Sequence, residues 1–74
     1  MRTLYENPYF YTVLTDEKTN EYFLEVTCGT SAVFLFRIKL RKNEIEKFMA
    51  DETALEPLAF RIMDAPDSFQ RRKI

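Results

Sequence analysis

Side-chain chemistry needs a nucleophile with its base, a titrating acid, or a set of metal ligands, and this chain is poor in all three. It has no histidine, one cysteine (Cys28) and one glycine (Gly29). Without an imidazole, a Ser-His or Cys-His nucleophile cannot be built. One glycine rules out a glycine-rich phosphate loop, and no metal-ligand spacing occurs. Twelve carboxylates are present, but Glu44, Glu46, Asp51 and Glu52 fall where helix caps and the helix dipole use them. Cys28 lies on a predicted core face, where thiols are inert packing. Glu25 is the one carboxylate on a partly apolar face, so a ligand pocket would have to form around it. The sequence thus predicts a protein that is not an enzyme and carries no cofactor.

The elements that position these residues must fit into 74 residues. That is one domain, 1–74, near the lower size at which a hydrophobic core sustains a fold. No internal disulfide is possible, so the compensating device is oligomerisation or an aromatic core. Seven Phe and four Tyr favour the latter. No apolar run approaches the roughly 18 to 20 residues of a membrane span. The N-terminus has no signal-peptide apolar region, and the single free thiol suits a reducing cytoplasm. The expected localisation is cytoplasmic, with no membrane partner.

Residues 21–40 organise the chain as one long β-hairpin. Tyr22, Leu24, Val26 and Cys28 alternate along one strand, and Ala32, Phe34, Phe36, Ile38 and Leu40 along the next. These sets share a face if Cys28 lies opposite Ala32 around a Gly29-Thr30-Ser31 loop, because a one-residue slip would invert every side chain. That register pairs Val26 with Phe34, Leu24 with Phe36 and Tyr22 with Ile38. It also sets Glu21 opposite Lys39, with Glu25 diagonal to Arg37. Residues 9–15 are β-branched and aromatic and form a preceding strand, joined through 16–20 with Asn20 able to be left-handed. Residues 1–8 show no period; Asn7-Pro8 reads as a turn or the start of a strand.

Past Arg41-Lys42 the period becomes helical. Asn43 and Glu46 resemble a capping box, and Ile45, Phe48 and Met49 form a core stripe. Leu55, Leu58, Ala59 and Ile62 form a second stripe with Met63 on its flank and Pro57 in the first turn. Residues 68–74 form a last turn with Phe69 docking back. The predicted fold is α+β: a three-stranded antiparallel sheet (strands about 9–15, 21–28 and 32–40) followed by two short helices (about 44–50 and 54–64) packed on one face.

Two short helices cover one face of a sheet, and the other face is also apolar. Phe23, Val33 and Leu35 point there, joined by either Phe10 and Leu14 or Tyr9, Tyr11 and Val13. Either residues 1–8 and Phe69 fold back over this face, or it is a protein interface. A two-fold homodimer is the simplest form. Phe60 points off its helix stripe; it bends onto the first helix or stays exposed as a contact residue. The predicted interface residues are Phe10, Phe23, Val33, Leu35 and Phe60.

Net charge is −1, but the charges come in blocks. Residues 37–42 carry four basic groups and 71–73 three. Arg37, Lys39, Arg41 and Arg72 are therefore possible phosphate contacts for single-stranded nucleic acid beside the sheet aromatics. Against that, Glu25 and Glu21 can absorb Arg37 and Lys39, and the chain has no basic excess. Nucleic acid is the alternative partner, and protein the first.

The C-terminal half, Leu40-Arg-Lys-Asn-Glu-Ile-Glu-Lys-Phe, then Leu55-Glu-Pro-Leu-Ala-Phe-Arg-Ile, then Pro66-Asp-Ser-Phe-Gln-Arg-Arg, resembles a pattern in small bacterial proteins of the immunity-protein type. These neutralise a toxin domain by binding it. The resemblance spans about half the chain, places Phe69 and Arg72 in a terminal Phe-x-x-Arg, and implies no catalytic residue. The expected function is a non-enzymatic protein-binding module, homodimeric, in the manner of an immunity-like inhibitor.

Overall fold

The computed structural model describes residues 1–7, 10–29 and 32–74. Among them the chain forms an antiparallel sheet in sequential order β1-β2-β3-β4, with β1 Arg2–Asn7, β2 Tyr11–Asp16, β3 Glu21–Cys28 and β4 Phe34–Lys39. Two α-helices follow, α1 Lys42–Ala50 and α2 Glu56–Asp64, and then a 3-10 helix, Pro66–Arg72. The α+β class stands. The three strands and two helices expected from sequence become four strands and three helices.

The additional strand is β1, and its geometry explains why no period showed. Thr3 pairs with Leu14 and Tyr5 with Val13, so the register shifts between them. One extra residue on one strand is a β-bulge, which turns two consecutive side chains toward the same side. Leu4 and Tyr5 accordingly both pack on the core, in a stretch that cannot alternate. Residues 2–7 therefore widen the sheet instead of folding over its outer face. Tyr9, the expected first residue of the next strand, and the Thr30-Ser31 loop residues lie outside the described residues.

The β3–β4 ladder keeps the expected faces but is displaced by two residues. Cys28 faces Phe34, Val26 faces Phe36 and Leu24 faces Ile38. A two-residue shift preserves the side-chain period, and it exchanges the two ion pairs. Glu25 is now directly opposite Arg37, and Glu21 reaches Lys39 diagonally at 2.7 Å. The connection from Cys28 to Phe34 is two residues longer than expected, and Gly29 enters it with φ +100°. Asn20 takes the left-handed conformation in the β2–β3 turn, at φ 57°, as expected.

The inner face of the sheet is the core. Val13, Leu24, Val26, Phe36 and Ile38 are buried there under Phe48, Leu55, Ala59 and Ile62. Burying one such side chain is worth about 1.5–3 kcal/mol, so a few of them outweigh every surface ion pair on the molecule. The helices divide the covering among themselves. α1 sets the Phe48 ring 6.4 Å from that of Tyr5 on β1. α2 lies against β3, where the Cys28 thiol approaches the Ile62 carbonyl at 3.9 Å. The 3-10 helix closes on β4 and α2.

Two local expectations need correction. α1 is capped at Arg41, whose backbone N–H donates to the Glu44 carboxylate at 2.8 Å, not at Asn43 with Glu46. The earlier start follows from the β4 exit, because Leu40 is already buried and fixes Arg41 at the rim. Met49, assigned to the core stripe, is exposed. Pro57 does occupy the first turn of α2.

Gly29 gives a direct test of the hairpin. A Cβ placed there would lie 2.0 Å from the Ala32 carbonyl oxygen, and the positive φ is itself strained for an L side chain. Gly29→Ala should lower stability by more than about 1 kcal/mol in urea denaturation. An unchanged midpoint would show that the turn is not built this way.

Candidate functional site

The outer face of the sheet carries Thr12, Leu14, Phe23, Glu25, Thr27, Leu35, Arg37 and Lys39 by strand alternation. It is more polar than a face that needs covering. Phe23 sits between Leu14 on β2 and Lys39 on β4 and is only 6% exposed. Beside it the Arg37 guanidinium donates from Nε (3.0 Å) and Nη2 (2.6 Å) to one Glu25 oxygen. The Met1 thioether meets Arg37 Nη1 at 3.9 Å. Phe23 is thus buried although it points away from the helices, and it offers little contact surface. Tyr11 and Val13 face the inner side, and Leu14 the outer.

The exposed apolar groups gather elsewhere, at the start of β4. Val33 is 69% exposed, Phe34 44% and Leu35 60%. They are consecutive, so they present apolar surface on both faces at one corner of the sheet. Phe10, expected at the interface, is instead largely buried, and its ring lies 4.2 Å from that of Phe60. Phe60 remains 53% exposed. It bends onto the β1–β2 connection rather than onto α1, because α2 runs beside β3 and the Thr27 N–H of that strand donates to the Phe10 carbonyl at 3.0 Å. Phe69 packs on the inner-face core from the 3-10 helix and roofs nothing outside.

Three of the four candidate phosphate contacts are engaged. Arg37 holds Glu25 and Lys39 holds Glu21. Arg72 makes two bonds to Glu44, at 3.0 and 2.5 Å, and a third to the Lys39 carbonyl at 3.0 Å. Arg72 and Glu44 are 17% and 13% exposed, which makes this the least hydrated ion pair described. It ties the end of β4, the start of α1 and the 3-10 helix at one point. Sequence reading assigned Glu44 to a cap and Arg72 to phosphate, and no local signal connects groups 28 residues apart. Arg41 is exposed.

Burial pushes the Glu44 carboxyl upward, but the bonds from Arg72 and the Arg41 backbone, with the charges of both arginines, hold it below the usual glutamate range. Burial pushes the Cys28 thiol up, which keeps it protonated and unreactive. Tyr11 is fully buried, and its hydroxyl makes no hydrogen bond of ordinary length and angle among the described residues, although the Tyr5 hydroxyl is close enough to act on it. Burial, with Tyr5, Glu56 and Asp51 nearby, pushes its pKa up to about 12, so the phenol stays neutral.

A shallow cleft of about 310 Å³ separates α1 and α2, lined by Lys47, Leu55, Leu58 and Arg61 among others. Its one carboxylate, Glu44, is already bound to Arg72. No group of three or more metal-binding side chains occurs among the described residues, and none of their helices is long and apolar enough to cross a membrane. The chain matches no protein-family model, no curated protein and no solved structure.

Two outcomes follow from these environments. The Glu44 carboxyl is acidified by folding, so its stabilisation is complete above about pH 4.3 and is lost as pH falls through the lowered native value. Wild type should exceed Glu44→Gln by roughly 1–3 kcal/mol at pH 7 in denaturant melts, and the gap should close as the solution is acidified toward pH 2. A gap independent of pH would contradict the role given to the ionised pair. Tyr11→Phe removes an unpaired buried hydroxyl and should leave stability equal or raised by up to about 1 kcal/mol. A clear loss in the same melts would mean that the hydroxyl has a partner.

Proposed function

We propose that this chain is a small non-enzymatic protein-binding module that self-associates as a homodimer, with the apolar corner at Val33, Phe34 and Leu35 as its contact surface. The carrying observation is that these three exposed residues are consecutive, whereas the other exposed large apolar side chains, Met1, Met49, Phe60 and Ile74, stand apart from one another in the chain. Apolar groups clustered on a monomer's surface mark interaction sites more often than scattered ones do. Phe60, half exposed on α2, is an aromatic of the kind that anchors interfaces. The missing histidine and the buried, protonated Cys28 support the non-enzymatic reading. A single thiol without a partner also suits the cytoplasm.

An immunity-like inhibitor is the specific form suggested by the sequence resemblance. Two residues of its terminal motif have internal duties here, Arg72 on Glu44 and Phe69 in the core. The toxin-facing surface in that reading is therefore the same apolar corner and not the tail. The nucleic-acid alternative draws little from the geometry, because Arg37, Lys39 and Arg72 each already hold a carboxylate.

Sedimentation equilibrium tests the proposal. The apparent mass of the wild type should rise from monomer toward dimer as concentration approaches about 1 mM. Leu35→Glu should keep it monomeric without unfolding it, since that side chain is largely in solvent. A wild type that stays monomeric throughout would remove the self-association reading.

A further inference from the structure

The two edges of the sheet are treated differently. β1 carries Arg2 and Glu6 and a bulge at Leu4, the usual devices that keep an edge from pairing with another chain. The start of β4 and the two residues before it read Ala32-Val33-Phe34-Leu35-Phe36, which has no charge, no proline and strong β propensity. Its other half is occupied from within.

The hydrogen bonds show which half is open. Leu40 N–H donates to the Tyr22 carbonyl at 2.7 Å. Antiparallel alternation then turns the main-chain groups of Phe34, Phe36 and Ile38 toward β3, and those of Leu35, Arg37 and Lys39 toward the open edge. The tail uses the last two. Ile74 N–H donates to the Arg37 carbonyl at 3.0 Å, Arg72 Nη2 donates to the Lys39 carbonyl at 3.0 Å, and Lys73 pairs with Ile38 in the antiparallel sense. The edge therefore accepts an antiparallel strand, and the tail fills it only as far as Arg37. Among the described residues Leu35 keeps its outward N–H and C=O free of the tail, and lengthening the strand by one residue on pairing would bring those of Val33 to the same edge.

We infer that a second copy of this chain occupies the open half of the edge, its β4 running antiparallel to the first with the two-fold axis at Phe34. This rests on the reading of the apolar corner as the contact surface and gives it a geometry. In this register Val33 faces Leu35 of the other copy and Leu35 faces Val33, each pair exchanging both main-chain N–H···O bonds. Phe34 faces Phe34 in a non-hydrogen-bonded pair, with Cα atoms about 4.5 Å apart and rings within stacking reach.

Charge and occupancy select this register. An axis at Leu35 would bring the other copy's Val33 onto Arg37, whose carbonyl already holds Ile74. An axis at Arg37 would set two guanidinium groups face to face. The axis at Phe34 leaves the tail in place and keeps each copy's Arg37 and Lys39 on Glu25 and Glu21. The three exposed residues are used and little else is. Such a contact is shorter than a standard interface of about 800 Å² per partner, so dissociation is expected on the order of 0.1 mM.

Amide hydrogen exchange of the wild type, below and above that concentration, tests the register without a variant. The Leu35 and Val33 amides should exchange about tenfold more slowly in the concentrated sample, while the Arg2 and Glu6 amides on the opposite edge stay unchanged. Leu35→Pro removes the outward N–H without cutting a bond to β3. It should weaken dimerisation by about tenfold or more, with the helical circular dichroism retained. If wild type dimerises while these amides are unaffected and the proline variant dimerises equally well, the edge pairing is overturned and the apolar-corner reading survives. If the same amides are protected only by a different protein, the second copy is the wrong occupant. A wild type monomeric at about 1 mM overturns both.

Discussion

Keeping water from the inner face of the sheet is the constraint to which everything beyond Leu40 answers. Val13, Leu24, Val26, Phe36 and Ile38 lie in one plane, and an exposed plane of that kind would be sticky rather than stable. α1 is about 13 Å long, close to the roughly 14 Å width of four strands. It begins beside β4, where Glu44 meets Arg72, and reaches Phe48 beside Tyr5 on β1. It therefore crosses the strands. α2 then returns along β3 with Ala59 at the contact, where a small side chain lets the helix approach closely. The 3-10 helix fills the last gap by β4.

The Glu44–Arg72 pair is secondary in energy but decisive in geometry. A buried ion pair does not in itself make a fold more stable than apolar packing would. What this one adds is location: its oxygens cap α1 through Arg41, and its guanidinium fastens the tail to the Lys39 carbonyl. Surface pairs such as Lys39 with Glu21 are more exposed and contribute roughly 0–1 kcal/mol. They nonetheless offset the two cations that the block of four basic residues places on the outer face, Arg37 and Lys39, while Arg41 and Lys42 past the end of β4 stay exposed.

Much of the fold was legible because side-chain period survives errors of register. Tyr22-Leu24-Val26-Cys28 and Phe34-Phe36-Ile38-Leu40 identify the inner face whether the loop has three residues or more. The displacement itself could not be read, since a two-residue slip leaves each residue on its own face. β1 escaped because the bulge sets Leu4 and Tyr5 on the same side, which erases alternation in a six-residue strand. The apolar outer face was overestimated at Phe23, which is buried between its cross-strand neighbours Leu14 and Lys39, since long charged side chains can hide apolar surface. Val33, Leu35 and Phe60 were found by their position off the stripe, whereas Phe34, though it shares the core side, emerged as exposed only from the ladder.

The tail also sets a direction. Ile74 leaves the molecule aligned beside β4 with its amide on Arg37, headed toward Phe36 and Leu35. Whatever polypeptide is fused after Ile74 is delivered in register to the vacant stretch of main chain, at an effective concentration far above that of any free protein. A tag or linker placed there would act as an intramolecular plug, and its β propensity would tune how firmly the corner is closed.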